Sequence, residues 1–191
     1  MSVTELTQPF IKMKGIAFKP EMVSAIQAGI KTQTRRKQLT YNPPVSAGEV
    51  LYIKERHRVI SFDESTAVVE YAGDDRPYLC CISCDDFKAL KKRKKPNAWL
   101  SAMYMRQHFH RLQIRVKEVR SEQLWSISDA DALAEGVKRL EDGRYPDYAT
   151  KGESWGTPAC SFISLYASIH KMKTWDVPEG TRVWVITFEK V

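Results

Sequence analysis

The chain has 191 residues, 43% hydrophobic and 28% charged, which suits one globular domain with one core and excludes a chain disordered throughout. Thirty Lys and Arg against 23 Asp and Glu give a net charge of +7, which favours polyanionic partners through phosphate attraction and counterion release. No apolar run approaches the roughly 20 residues that span a bilayer. The opening MSVTELTQPFIKMKG lacks a charged start followed by an apolar core. A cytoplasmic protein without membrane contact is therefore expected.

In chain order, Gly15 to Phe18 reads as a short strand ended by Pro20. Glu21 to Ala28 follows as a helix, with Val23, Ile26 and Ile30 at helical spacing and Gly29 at the terminating position. The basic stretch from Lys31 comes directly after it. Residues 42–48 (NPPVSAG) form a turn-rich loop, Val50 to Lys54 a strand, and Ala67 to Tyr71 a second, rich in β-branched residues. The segment 73–97 is irregular and polar and reads as an insertion or flexible flap. Arg111 to Val119 alternates cleanly, with Leu112, Ile114 and Val116 on one face. Ser128, with Asp131 three residues on, caps a helix running to Glu135-Gly136. Residues 139–158 form a polar loop and a second insertion. Phe162 to Ile169 is a helix presenting Phe162, Leu165, Tyr166 and Ile169 on one face, and Val183 to Phe188 is a closing buried strand.

This pattern predicts an α+β fold: a small twisted β-barrel or curled sheet of five to six strands with flanking helices, in a single domain covering 1–191. The alternation of strands and helices is too irregular for a doubly wound parallel sheet. A Gly-rich phosphate loop of Walker or Rossmann type is absent from the sequence.

Chemistry concentrates in Lys31-Thr32-Gln33-Thr34-Arg35-Arg36-Lys37, four cations in seven residues. In an extended chain Thr32, Thr34 and Arg36 share one face, and Lys31, Gln33 and Arg35 the other. The bland reading is a solvated basic loop. The sharper one uses the Thr hydroxyls as nucleophile or ligand donors among cations that hold an anion.

Five lesser signals follow. Cys80, Cys81 and Cys84 supply one CxxC pair, half of a zinc site that Cys160 or a histidine would have to complete, so no metal and no cofactor is expected. His108 and His110 precede the strong strand as polar residues at its start. Arg111 is a candidate phosphate or cleft-lining contact. The Lys91–Lys95 run is a solvated patch or an electrostatic arm, and among the tryptophans Trp155, between Ser154 and Gly156, is the best candidate to stack on a base.

Gly29-x-Lys31-x-x-x-x-Arg36 resembles the GxKxxxxR signature of the ASCH domain, a PUA-like family. Phe18-Lys19-Pro20, the stretch from Gly48 to Glu55, the strand from Arg111, Ala132 to Gly136, and the terminal Val183 to Glu189 resemble further family features in the same order. The resemblance is strongest to the longer ASCH proteins of bacteriophages and prophages. It implies a PUA-like β-barrel with a cleft beside the signature and RNA or a modified nucleoside as partner. A bacterial branch of the family is an amidohydrolase of N4-acetylcytidine. Its catalytic set carries over as Lys31, Thr34 and Glu135, with Arg36 as the signature Arg and with Gly29, Thr32 and Arg35 as binding residues of the same stretch. Other ASCH proteins are ribonucleases or non-catalytic RNA binders, and the residues alone leave the three readings open.

Overall fold

The computed structural model describes residues 12–95 and 97–191, in which ten strands and four α-helices are formed. The reading of the N-terminus as leaderless falls mostly outside these residues. Among the described residues no helix is long and apolar enough to cross a membrane.

The main sheet has five strands in the order β1 (Lys14–Ala17), β3 (Val50–Lys54), β7 (Gln113–Gln123), β10 (Arg182–Lys190) and β2 (Gln33–Lys37). β1 runs parallel to β3, and the remaining neighbours are antiparallel. β10 is apolar on both faces and organises the rest. Val183 and Val185 point to one cluster with Leu124, Ile127, Phe162 and Ile163. Ile186 and Phe188 point to another with Val23, Ile26, Leu51 and Ile114. Each such fully buried side chain contributes about 1.5–3 kcal/mol over an exposed one.

The α+β class is as expected, and five of the strands form one sheet. β1 and β2 are its two edges and share no backbone ladder. Helix α1 (Pro20–Gln27) carries the chain from one edge to the other, with Pro20 at its first turn, where a missing N–H costs nothing. The edges meet through a side chain instead: the Arg36 guanidinium of β2 donates to the Ala17 carbonyl at the end of β1, at 2.7 Å.

A second sheet, β4 (His57–Phe62), β5 (Thr66–Tyr71) and β6 (Tyr78–Cys81), packs with helix α2 (Cys84–Lys91) around Val59, Val69, Tyr71, Leu90 and Phe109. The segment 73–97, expected to be irregular, thus carries β6 and α2 in a lobe with its own core. Ser83 caps α2 in a reciprocal capping box with Asp86, a signal available in the sequence. Helices α3 (Asp129–Ala134) and α4 (Pro158–Ile169) cover the outer face of β10, and β8 (Tyr145–Pro146) pairs with β9 (Ser154–Trp155) inside the loop 139–158.

Arg111 joins the two lobes. Its guanidinium donates to both Glu55 oxygens, at 3.0 and 2.7 Å, and to Asp74, and lies over the Tyr71 and Tyr78 rings. Burial by itself would lower its pKa; the carboxylates outweigh burial and hold it above the ordinary arginine value. Arg111→Ala leaves Glu55 buried without its partner, which should destabilise the fold by about 3–5 kcal/mol. Urea unfolding of the variant and the parent measures this, and a loss under about 1 kcal/mol would show that the pair is dispensable.

Candidate active site

Two helix ends build the site. α1 stops where Gly29 takes a positive φ of 72°, and the N–H groups of Ile30 and Lys31 then return to the Ala25 carbonyl. α3 stops at Glu135, followed by Gly136 at φ 92°. The two turns set Lys31 and Glu135 against each other. Lys31 Nζ donates to Glu135 Oε2 at 2.6 Å and to the Glu135 carbonyl at 2.7 Å, and both side chains are almost wholly buried. The ammonium therefore also caps the carbonyl end of α3. Its third N–H has no acceptor among the described residues.

Behind this pair lies Arg35. Its guanidinium donates to Glu122 at 2.8 Å, Asp131 at 2.9 Å, Gln33 at 2.8 Å and the second Glu135 oxygen at 3.3 Å. Arg120 adds a contact to Asp131 at 2.8 Å. Burial would lower the Arg35 pKa, but these carboxylates hold it above the ordinary value. Lys31 goes the other way. Desolvation pushes its pKa below the usual lysine value, Glu135 opposes this, and Arg36 and Arg35 reinforce it.

A cavity of about 140 Å³ opens on this cluster. Lys31, Thr34, Arg36 and Glu135 line its polar side, and Phe162, Leu165, Tyr166 and Ile169 its apolar side. The α4 face whose spacing reads as a packing face is thus the cavity wall. Thr34 is buried, and its hydroxyl makes no hydrogen bond among the described residues. Arg36 has no carboxylate within ion-pair distance there; it lies over the Phe18 ring, and its Nε is buried without a partner. A second cavity of about 420 Å³, lined by Lys19, Lys138 and Tyr148, adjoins the first and shares Met22, Glu135 and Leu165 with it.

Of the residues singled out in the sequence, Lys31, Thr34, Arg35, Arg36 and Glu135 converge here. Thr32 is exposed and acts through its backbone, joining Ala134 and Phe188. Gly29 shapes the turn from the surface. Arg111 is committed to Glu55 and Asp74 at the lobe junction, and Trp155 packs edge-on against Trp175 beside a separate cavity. Glu122, Asp131 and Arg120 escape sequence reasoning, because nothing in their spacing links them to Arg35. Among the described residues no group of three or more His, Cys, Asp or Glu is placed to hold a metal ion.

No family model and no curated protein matches the chain. Among solved structures, it is similar to a protein of Enterococcus faecalis V583 described under the family-model DUF984, at 13% identity and a TM-score of 0.43, over 95% of this chain and 82% of that one. It is also similar to an ASCH domain from Lactobacillus crispatus JV V101, at 11% identity and a TM-score of 0.40, over 93% and 79% of the two chains.

Gly136 tests the construction of the site. A Cβ there would sit 3.4 Å from the Lys31 Cβ on a backbone that L-residues rarely adopt. Gly136→Val should cost about 1–3 kcal/mol of stability, read by denaturant unfolding. An unchanged midpoint would mean that the α3 end relaxes freely.

Proposed function

We propose that the chain is an ASCH-type, PUA-like protein whose cavity takes a modified nucleoside or nucleotide of RNA, and that it hydrolyses an amide of the N4-acetylcytidine kind. The observation that carries this reading is the convergence of a buried Lys31–Glu135 pair and an unpaired Thr34 hydroxyl in one cavity with an apolar wall. The ordered set of signature residues supports it. A pure binding pocket has no need of a buried lysine with a lowered proton affinity beside a hydroxyl nucleophile.

The chemistry follows from the groups present. Thr34 Oγ attacks the acetyl carbon while its proton passes to neutral Lys31 Nζ. Arg36 holds the carbonyl oxygen as it becomes an oxyanion. The C–N bond breaks, and the departing N4 amine takes the proton from the Lys31 ammonium, leaving an acetyl ester on Thr34. Water then attacks that ester and gives one proton to Lys31, which passes it to the departing Thr34 Oγ; acetic acid leaves and loses its remaining proton to solvent, so the Thr34 hydroxyl and the neutral Lys31 amine are both restored. Glu135 orients Lys31 throughout. A non-catalytic RNA-binding role is the second reading. It is favoured by one observation: Lys31 and Glu135 already satisfy each other, as a purely structural pair would.

Incubation with N4-acetylcytidine, followed by chromatography, separates them. The expected result is release of cytidine by the parent protein. Lys31→Met and Thr34→Val should each reduce the rate by about a hundredfold or more. Because the base is the neutral amine, the rate rises with pH, and that limb lies below the ordinary lysine value of 10.5. No cytidine from the parent, or parental rates in Thr34→Val, would remove the hydrolase reading. Cleavage of labelled RNA without deacetylation would instead mark a ribonuclease.

A further inference from the structure

The cavity does not end at the cluster. Lys37 lines it on the β2 side and also lines a wide open cleft of about 610 Å³ on the neighbouring surface. That cleft is bounded by Leu39, Thr40, Tyr41, Pro178, Thr181 and Arg182. No carboxylate is among its lining residues.

Three features of this cleft suit a strand of nucleic acid. Tyr41 is 93% exposed and Leu39 81%, an aromatic and an aliphatic side chain held out of the core on one loop. Lys37 and Arg182 are both exposed, and neither has an acidic partner among the described residues. Arg182 is nonetheless held in place: its Nη2 and Nε donate to the Ser121 hydroxyl at 2.9 and 3.3 Å, and Ser121 donates to Gln38 at 2.7 Å. Exposed cations next to a projecting aromatic ring are what single-strand binding uses, phosphate on the cation and base on the ring.

We propose that the ligand is a single-stranded RNA segment rather than a free nucleoside: one nucleotide enters the central cavity, the adjoining phosphate lies on Lys37 and Arg182, and the next base stacks on Tyr41. The choice of the central nucleotide rests on the function proposed above; the strand track does not require turnover. The second adjoining cavity is a poorer path for a polyanion, since Glu21 and Glu135 offset Lys19 and Lys138 in its lining.

Binding of a short fluorescein-labelled single-stranded RNA, followed by anisotropy across a range of KCl, tests this with the parent, Arg182→Gln and Tyr41→Ala. Circular dichroism and melting verify the folds; both positions are exposed. The parent should hold the strand more tightly than N4-acetylcytidine. Arg182→Gln should weaken it and make the log–log salt slope shallower by about 0.7, one phosphate contact on a single strand. Tyr41→Ala should weaken it by at least about fivefold with the slope unchanged. Strand affinity unmoved by both substitutions, or no greater than nucleoside affinity, overturns the proposal. Cytidine release from the free nucleoside, measured on the same preparations, separates the two ideas. Release that depends on Thr34, with strand affinity indifferent to Tyr41 and Arg182, removes the strand track and leaves the hydrolase. No release, with strand affinity dependent on both, removes the hydrolase and leaves the track.

Discussion

Two charges that water would solvate well are buried against each other where α1 and α3 end, and much of the structure serves to make that tolerable. Removing a lysine and a glutamate from water costs several kcal/mol per ion, offset by close pairing and by filling most of the remaining hydrogen-bonding sites. Lys31 fills two of its three donors on Glu135, one on the carboxylate and one on the carbonyl at the helix end. Glu135 fills its second oxygen with Arg35, and Arg35 in turn binds Glu122 and Asp131. The pair is thus one end of a chain of alternating charges that reaches the surface at Arg120.

The backbone around the pair is arranged to the same end. Neither helix could deliver its residue by running on. Each stops on a glycine with positive φ, and each glycine sits within two positions of the charged residue it aims. The sheet must also curl, because β2, which carries Thr34 and Arg36, is an edge strand whose neighbour in space across the opening is the other edge. The contact from Arg36 to Ala17 spans that opening without a ladder.

Much of the apolar frame was legible in the sequence. β3 matches its expected bounds; β7, α1 and β10 differ from theirs by a few residues, since alternation and helical spacing report one-sided or two-sided burial directly. The meeting of Lys31, Thr34 and Glu135 followed from the resemblance, not from spacing, because 104 residues separate Lys31 from Glu135. What stayed hidden has a common cause. β2 reads Gln-Thr-Arg-Arg-Lys, a composition that signals a solvated loop, and yet three of its five residues are buried. Their burial depends on carboxylates from β7 and α3 that no local window contains. The partners of Arg111 stayed hidden for the same reason: its carboxylates lie at positions 55 and 74.

The charge count within the cluster leads one step further. With Lys31 in its resting ammonium form, Lys31, Arg35, Arg36 and Arg120 face Glu122, Asp131 and Glu135, four cations to three anions, and the surplus falls on Arg36. Burial lowers its pKa, with Glu135 opposing, yet no carboxylate reaches it within ion-pair distance among the described residues. Its attachments are a neutral carbonyl and an aromatic face. A fully compensated structural network would have placed a fourth acid here. A cluster one anion short, with the gap at the cavity wall, favours negative charge at that wall. The oxyanion proposed to form against Arg36 would meet that preference, whereas the strand phosphate proposed on Lys37 and Arg182 lies outside it.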